Sequence, residues 1–179
     1  MSQVSDEELM QRVQSGDEAS FSELFGRYNG VLYGFLVRRT RDPERAGELF
    51  QETWLNVHRG RKTWRSGRPF RPWLFGIALN AMRDSDRRSG RRVRTVELGP
   101  ETHAERAAAR VAPAKHALRM TLEDAIDALP DTLREAFLLG AVLGFDHREV
   151  AEQLDITPAN ARARISRARA KLRTLLEPQ

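Results

Sequence analysis

Basic side chains are concentrated near the end of the chain, between Pro158 and Thr174, where no acidic residue occurs. Guanidinium groups bind phosphate oxygens, and they can also pair with the acceptor edge of guanine in the major groove. The chemistry that this stretch offers is therefore non-covalent recognition of DNA. The basic residues are Arg162, Arg164, Arg167, Arg169, Lys171 and Arg173.

A helical plot of the same stretch, at about 100° per residue, separates it into faces. One stripe is apolar and must pack inward, and the opposite sector holds only short side chains. A helix with a small-residue line between arginine flanks fits a major groove. A solvated basic helix is the alternative that this pattern leaves open. The apolar stripe is Ala161, Ile165, Ala168, Leu172, Leu175 and Leu176, and the short residues are Ala159, Ala163, Ser166 and Ala170.

A shorter helix precedes this basic helix, from His147 to Leu154, with Val150 and Leu154 on its apolar side. Residues 155–157 interrupt the pattern, and Thr157 followed by Pro158 is typical of an N-cap and first helical turn. Two helices joined by such a tight turn predict a helix-turn-helix.

Residue types that carry out catalysis are not grouped in this sequence. There is no cysteine, and the 4 histidines are scattered without the spacing of metal ligands. Asp84 and Asp86 could belong to a nuclease, but Arg83, Arg87 and Arg88 lie beside them. We therefore expect no catalytic residue, no metal and no cofactor, and a protein that is not an enzyme.

Composition favours small helical units and a polyanionic partner. Hydrophobic residues make up 40% of the 179, and 30 basic against 25 acidic residues give a net charge of +5. The excess is clustered in residues 59–71, 83–94 and 162–173, which suggests nucleic acid or an acidic membrane surface. A polar, acidic N-terminus and the lack of a long apolar run predict a cytoplasmic protein without a signal peptide.

The N-terminal half is predicted to be helical. Ser5 and Glu8 match a capping box, an aromatic stripe begins at Phe21, and Asp42 with Pro43 starts a further helix. The face of that helix opposite its apolar side suits either protein binding or solvation. It holds Glu48, Gln51, Glu52 and Leu55.

A basic loop at residues 59–71 interleaves aromatic rings with cations, which is typical of surfaces that stack unpaired bases. The rings Trp64 and Phe70 could instead fold back onto the helices. Pro72 is predicted to open a deeply packed helix that runs to about Arg88. Its narrow polar stripe includes Asn80, Arg83 and Arg87.

Residues 89–115 lose helical periodicity and carry Gly and Pro, which indicates a linker. Helical pattern returns from Leu118, and a further helix is predicted over Leu133–Leu143. We expect an all-α fold with two small helical domains joined by a flexible linker: 1–90, the linker 91–117, and 118–179 with the helix-turn-helix.

Three stretches, in order, resemble bacterial sigma factors. Residues 46–54 are similar to the polymerase clamp-binding helix of that family. Residues 73–80, followed by Asp84 and Arg87, resemble its promoter-melting helix, and residues 158–172 resemble its recognition helix. With two domains and a short linker, the chain looks like the extracytoplasmic-function group. The departures are Gly47, Glu48, Leu79, Asp155 and the run Ala159-Asn160-Ala161.

The resemblance implies a sigma factor that binds core RNA polymerase, through its beta and beta-prime subunits, and helps to open promoter DNA. It assigns polymerase binding to Glu48, Gln51, Glu52 and Leu55. It assigns the unpaired minus-ten strand to Lys62, Trp64, Arg65, Arg71, Asn80, Arg83 and Arg87. It assigns the minus-thirty-five duplex to Asn160, Arg162, Ala163, Arg164, Ser166 and Arg167.

Group membership also implies an anti-sigma factor as a partner. The alternative is a stand-alone helix-turn-helix regulator that binds DNA without polymerase. Such a regulator does not need the Glu48–Glu52 face or the aromatic basic loop.

Overall fold

The computed structural model describes residues 4–90 and 121–177, and all regular structure in those ranges is helical. The N-terminal domain contains four α-helices and a single 3₁₀ turn at Arg61–Thr63. The predicted linker 91–117 and Leu118 lie outside the described residues. The helices are α1 Asp6–Gln14, α2 Glu18–Thr40, α3 Pro43–Gly60 and α4 Phe70–Arg88.

Local capping explains where the first three helices begin. Ser5 and Glu8 form the predicted capping box of α1. Asp17 accepts a hydrogen bond from the Ala19 amide at the start of α2, and Asp42 caps α3 just before Pro43. These caps satisfy amides that a first helical turn leaves without partners.

Helix α4 begins at Phe70, two residues before the predicted start at Pro72, and its own N-cap residue gives no side-chain hydrogen bond. Glu7 of α1 supplies the missing acceptor, because its carboxylate accepts a 3.0 Å hydrogen bond from the Phe70 amide. Helix α1 is in turn tied to α2 by Asp6, which forms a 2.6 Å ion pair with Arg27 and accepts from the Tyr28 hydroxyl. The first helix thus fixes the N-terminus of α4.

Aromatic rings fill the space between α2, α3 and α4. Phe25 and Trp54 lie 5.0 Å apart between ring centroids, and Phe35 meets Phe75 edge to face at 5.3 Å. Phe35 is buried, as the predicted aromatic stripe requires, and Phe75 is buried on the helix that was predicted to be deeply packed. This packing holds α4 so that only one narrow side of it faces outward.

The C-terminal domain also consists of helices. The helix predicted over Leu133–Leu143 differs from the one observed, because α-helical turns end at Phe137 and a π-helical turn follows over Leu138–Val142. Gly140 in this turn packs closely on the last helix, where an added Cβ would lie 2.5 Å from Ile165 Cδ1. The remaining helices are α5 Leu122–Asp127, α6 Asp131–Phe137, α7 His147–Leu154 and α8 Pro158–Leu176.

The helix-turn-helix is confirmed as α7 and α8. Asp155 ends α7 with φ 54°, a left-handed conformation that Asp tolerates better than most residues. Thr157 then caps α8 by accepting a 3.2 Å hydrogen bond from the Asn160 amide. Asp146 caps α7, and hydrogen bonds from the Glu149 and Arg148 amides lower the pKa of its carboxyl.

The two domains touch along α4 and along the end of α2. Phe75 of α4 meets Phe145, just before α7, at 5.7 Å between ring centroids, and the Arg71 guanidinium lies 5.5 Å from the same Phe145 ring. Within the described ranges, no helix has the length and apolar character that a membrane crossing needs.

Candidate nucleic-acid interface

Helix α8 presents the polar face that its sequence predicts. The apolar positions Ala161, Ile165, Ala168 and Leu172 are buried against the rest of the C-terminal domain. The opposite side of the helix is open to solvent, although Ala163 on this side is half-buried. We call the exposed set the recognition face: Asn160, Arg162, Ser166 and Arg167.

Arg164 does not belong to the recognition face. Only 5% of it is exposed, and its Nε has no hydrogen-bond partner. Burial lowers the pKa of its guanidinium, and the nearby Glu135 carboxylate partly offsets that effect. In this arrangement Arg164 is therefore not accessible to the minus-thirty-five duplex that the resemblance assigned to it. Its position, three residues after Ala161 and four before Ala168, already puts it beside the apolar stripe.

Helix α4 leaves one narrow side unpacked, and part of this side lines a cleft. We call Trp73, Asn80, Arg83 and Arg87 the α4 edge. Asn80 and Arg87 are exposed, Arg83 is half-buried, and Arg83 donates a 3.1 Å hydrogen bond to the Asn80 side chain. The cleft has a volume of about 570 Å³, and Trp73, Asn80 and Arg83 line one side of it.

Helix α7 forms the other side of this cleft, with Glu149, Glu152 and Gln153. The Gln153 side chain donates a 3.1 Å hydrogen bond to the Pro72 carbonyl, and Arg83 donates to the Gln153 carbonyl. The α4 edge is thus in contact with the first helix of the helix-turn-helix.

The basic loop divides its predicted residues between solvent and core. Lys62 and Arg65 are exposed and Arg71 is half-buried. Trp64 is only 3% exposed, so its ring is not the accessible stacking platform that was predicted. Gln14 of α1 donates a 2.7 Å hydrogen bond to the Trp64 carbonyl and fixes the loop there.

Phe70 is fully buried. Its ring therefore folds back onto the helices, which is the alternative to base stacking that the sequence left open. Trp73 is the aromatic residue that sequence reasoning left out of the predicted sites, although it is half-buried and lines the cleft. Its place on the narrow polar stripe of α4 was the available signal.

An exposed face on α3 combines acidic, amide and apolar groups. Glu48 and Gln51 are exposed, and Leu55 is 53% exposed, which is high for a leucine. Glu52 is half-buried and forms a 3.2 Å ion pair with Arg88 of α4. We call these four α3 residues the acidic face.

Tyr33 of α2 adds a partly exposed ring next to α3. It is 41% exposed and meets Phe50 of α3 edge to face at 5.9 Å. It lies off the apolar stripe that begins at Phe21, so the helical pattern of α2 gave it no role. It enlarges the apolar surface on this side of the N-terminal domain.

The carboxylates that could have suggested a nuclease are occupied by arginines. Asp86 pairs with Arg45, and Asp84 pairs with Arg87. Residues 4–90 and 121–177 contain no group of three or more His, Cys, Asp or Glu side chains that could hold a metal ion.

Comparison with known proteins assigns both halves of the chain. The family model described as Sigma-70 region 2 matches residues 24–92, and Sigma-70, region 4 matches residues 119–172. The RNA polymerase sigma factor CarQ of Myxococcus xanthus is 37% identical over 93% of this chain and 95% of its own length. The chain belongs to the sigma-70 family.

Further relatives place it in the extracytoplasmic-function group. The ECF RNA polymerase sigma-E factor of Haemophilus influenzae is 28% identical over 98% of this chain and 97% of its own length. This chain is thus an RNA polymerase sigma factor that directs promoter-specific transcription. The stand-alone regulator is not favoured, because region 2 accounts for the N-terminal half.

Solved structures have the same fold. CnrH, in complex with the cytosolic domain of CnrY, has a TM-score of 0.67 and 27% identity, covering 96% of both chains. The sigma factor RpoE of Bartonella quintana, in complex with the anti-sigma factor NepR, has a TM-score of 0.66 and 24% identity, covering 87% of this chain and 96% of its own.

Replacing Trp64 separates a core role from a stacking role. Because the ring is buried, we expect Trp64→Ala to lower the free energy of unfolding by about 3–5 kcal/mol, whereas Trp64→Phe, which keeps much of the volume, costs far less. Urea denaturation followed by circular dichroism measures both. A Trp64→Ala variant as stable as the unchanged protein would contradict the buried position.

Proposed function

We propose that this sigma factor binds core RNA polymerase through the acidic face and contacts promoter DNA through the α4 edge and the recognition face. The observation that carries the proposal is the separation of these surfaces on α3, α4 and α8. Residues 1–90 form the polymerase-binding and minus-ten domain, 91–117 the linker, and 118–179 the minus-thirty-five domain. The chain itself does no covalent chemistry.

The acidic face suits a protein partner better than solvent alone. Leu55 is 53% exposed among Glu48, Gln51 and Glu52, which gives an apolar contact with polar groups around it. Interfaces combine an apolar centre with a polar rim in this way. The partner is core polymerase, through its beta and beta-prime subunits.

Unpaired minus-ten DNA is bound by the α4 edge together with the basic loop. Exposed Lys62, Arg65 and Arg87 attract the backbone, and half-buried Arg71 and Arg83 lie closer to the core. Trp73 supplies the aromatic ring that Trp64 cannot, because Trp73 lines the cleft beside Asn80. Trp73 therefore replaces Trp64 as the proposed stacking ring, and the rest of the proposed minus-ten surface is unchanged.

Duplex minus-thirty-five DNA is bound by the recognition face. Arg162 lies next to the short-residue line and reaches the groove floor, where guanidinium groups pair with guanine. Arg167 flanks the same line on its other side and lies further from the N-terminal end of α8, the end whose residues contact base edges in recognition helices, so it faces the phosphates. Asn160, Ala163 and Ser166 permit close approach, whereas buried Arg164 supports the helix from inside the domain.

An anti-sigma factor is the further partner that we propose, and the cytoplasm is the proposed location. The support comes from a similar sigma factor, RpoE, that was solved with the anti-sigma factor NepR. CnrH was likewise solved with the cytosolic domain of another protein.

Polymerase binding can be tested at two exposed positions of the acidic face. We expect Gln51→Ala with Leu55→Ala to reduce transcription with core polymerase by tenfold or more, since interface residues of this kind are worth about 1–2 kcal/mol each. Both side chains are exposed, so circular dichroism should not change. Gln11→Ala on the exposed side of α1 is the matched control. Unchanged transcription by the double variant would exclude this face.

Replacing each of three arginines of α8 by alanine should have a different effect on DNA binding or stability. Arg162→Ala should cost about 1–3 kcal/mol on the preferred minus-thirty-five duplex and little on scrambled DNA. Arg167→Ala should weaken both duplexes alike and lower the salt dependence by about one counterion. Arg164→Ala should change the free energy of unfolding and leave the salt dependence of DNA binding unaltered.

Titration of the full chain onto both duplexes at several salt concentrations measures these effects. If Arg162→Ala and Arg167→Ala lose the same affinity on both duplexes, α8 attracts DNA without reading its sequence.

A further inference from the structure

Five exposed residues of the basic loop, 65–69, lie between two buried aromatic residues. Trp64 is 3% exposed and Phe70 is fully buried. The Phe70 ring packs on Tyr28 of α2 and on Trp73 of α4, at 5.4 and 6.0 Å between ring centroids. The exposed segment is therefore anchored in the core at both of its ends. We call residues 65–69 the exposed turn.

The backbone of the exposed turn has a defined geometry. The Arg68 amide donates a 3.1 Å hydrogen bond to the Arg65 carbonyl, which closes a β-turn. Gly67, at the third position of this β-turn, has φ 87°, whereas Ser66 before it does not have a positive φ. That combination is the pattern of a type II turn. Arg65 and Arg68 are thus held at the two ends of one turn, and both are exposed.

Helix α1 holds the backbone on both sides of the exposed turn. The Gln14 side-chain amide donates to two carbonyl oxygens, that of Arg61 at 2.9 Å and that of Trp64 at 2.7 Å. Two helical turns earlier, the Glu7 carboxylate accepts a 3.0 Å hydrogen bond from the Phe70 amide. Residues seven apart lie on one face of an α-helix, so a single rigid element spans the loop from its entry to its exit.

The position of α1 is itself fixed. Met10 and Val13 are buried in the core of the domain, and Asp6 pairs with Arg27 of α2. Helix α1 can therefore act as a fixed reference for the loop backbone. A loop that is held in its binding conformation before the ligand arrives loses less entropy on binding.

We propose that Gln14 and Glu7 of α1 are positioning residues for the minus-ten strand, which hold the exposed turn in the conformation that selects unpaired bases. Neither residue contacts DNA, and each acts through the loop backbone. This inference rests on the proposed minus-ten role of the basic loop. Helix α1 precedes residue 24, where the similarity to Sigma-70 region 2 begins, so that similarity assigns it no role.

Positioning and phosphate attraction have different consequences for binding. A base that is recognised by one conformation of the turn binds more weakly in proportion to the fraction of chains that have left that conformation. A strand that is held only by its phosphates does not need the turn, because its affinity depends on the number of cations. Loss of the α1 contacts should therefore reduce base selection and leave the salt dependence of binding unaltered.

The test uses variants that change these hydrogen bonds without changing the charge of the loop. Gln14→Met removes the donor and keeps the length of the side chain, and Gln11→Met, at an exposed position on the same helix, is the matched control. Glu7→Met removes the acceptor for the Phe70 amide, whereas Glu7→Gln keeps an oxygen that can accept and should rescue the function. Gly67→Ala strains the same turn at its positive φ without altering α1, so it should reproduce the loss.

Amide hydrogen exchange of the full chain, resolved by NMR, reports whether the turn is pre-formed. The Arg68 and Phe70 amides are hydrogen-bonded, so both should be protected in the unchanged protein. Gln14→Met should make the Arg68 amide exchange faster and leave the amides in the middle of α2 and α4 unchanged. Gln11→Met should exchange like the unchanged protein.

Base selection is measured with core polymerase and a pool of duplexes that are pre-melted over a segment with a randomised non-template strand. Duplexes bound by polymerase with each variant are recovered and sequenced. The unchanged chain should enrich particular bases at one or more unpaired positions. Gln14→Met should lower that enrichment by about three- to tenfold, the loss expected if only about a third to a tenth of the chains keep the turn. The salt dependence of binding should be the same for both proteins.

Equal enrichment by Gln14→Met and the unchanged chain would overturn the inference, because α1 would then serve stability alone. A loss that Gln11→Met shares, or that Glu7→Gln shows as strongly as Glu7→Met, would overturn it as well. So would a weaker salt dependence, which would mean that phosphate contacts had been lost instead of base selection. If polymerase with the unchanged chain enriches no base at any unpaired position, the proposed minus-ten role of the loop itself is contradicted.

Discussion

The fixed charge of arginine is the constraint on which this structure depends. A guanidinium group does not deprotonate in proteins, so each arginine needs water, a carboxylate or a carbonyl oxygen. Arg27 and Arg45 pair with carboxylates of neighbouring helices, and Arg134 donates to the Asp127 carbonyl at the end of α5, so their charges hold helices together. Arg162 and Arg167 are left in water on one side of α8. The position of each arginine relative to the apolar stripe of its helix decides whether it pairs inside the fold or stays exposed, where it can bind DNA.

Packing of the helices also keeps the acidic face of α3 apart from the α4 edge. Burial of Phe35 against Phe75 turns all but one side of α4 inward, and the capping of its first turn by Glu7 fixes where that side begins. Helix α3 packs on α4 and keeps Gln51 and Leu55 exposed. On the proposed assignment of these surfaces, polymerase and DNA are bound at once, and two weak DNA contacts on one chain gain affinity through effective concentration.

Local signals in the sequence predicted the parts of the fold that depend on neighbouring residues. The Ser5 capping box, the left-handed Asp155 and the Thr157 cap are of this kind. Trp64 was misassigned because its burial depends on how the loop packs on distant parts of the chain, such as Gln14, 50 residues away, which donates to the Trp64 carbonyl. The pairing of Arg38 with Glu123 spans 85 residues and depends on how the domains meet, so no periodicity could reveal it.

The central claim is that two separate surfaces of one sigma factor select promoters for core polymerase. Transcription of a fragmented genomic library with core polymerase and this chain, followed by mapping of RNA 5′ ends, tests it most directly. We expect new start sites that share two upstream sequence elements at a nearly constant separation, one for each DNA-binding surface. Start sites identical to those of core polymerase alone, or new start sites with only one shared element, would contradict it.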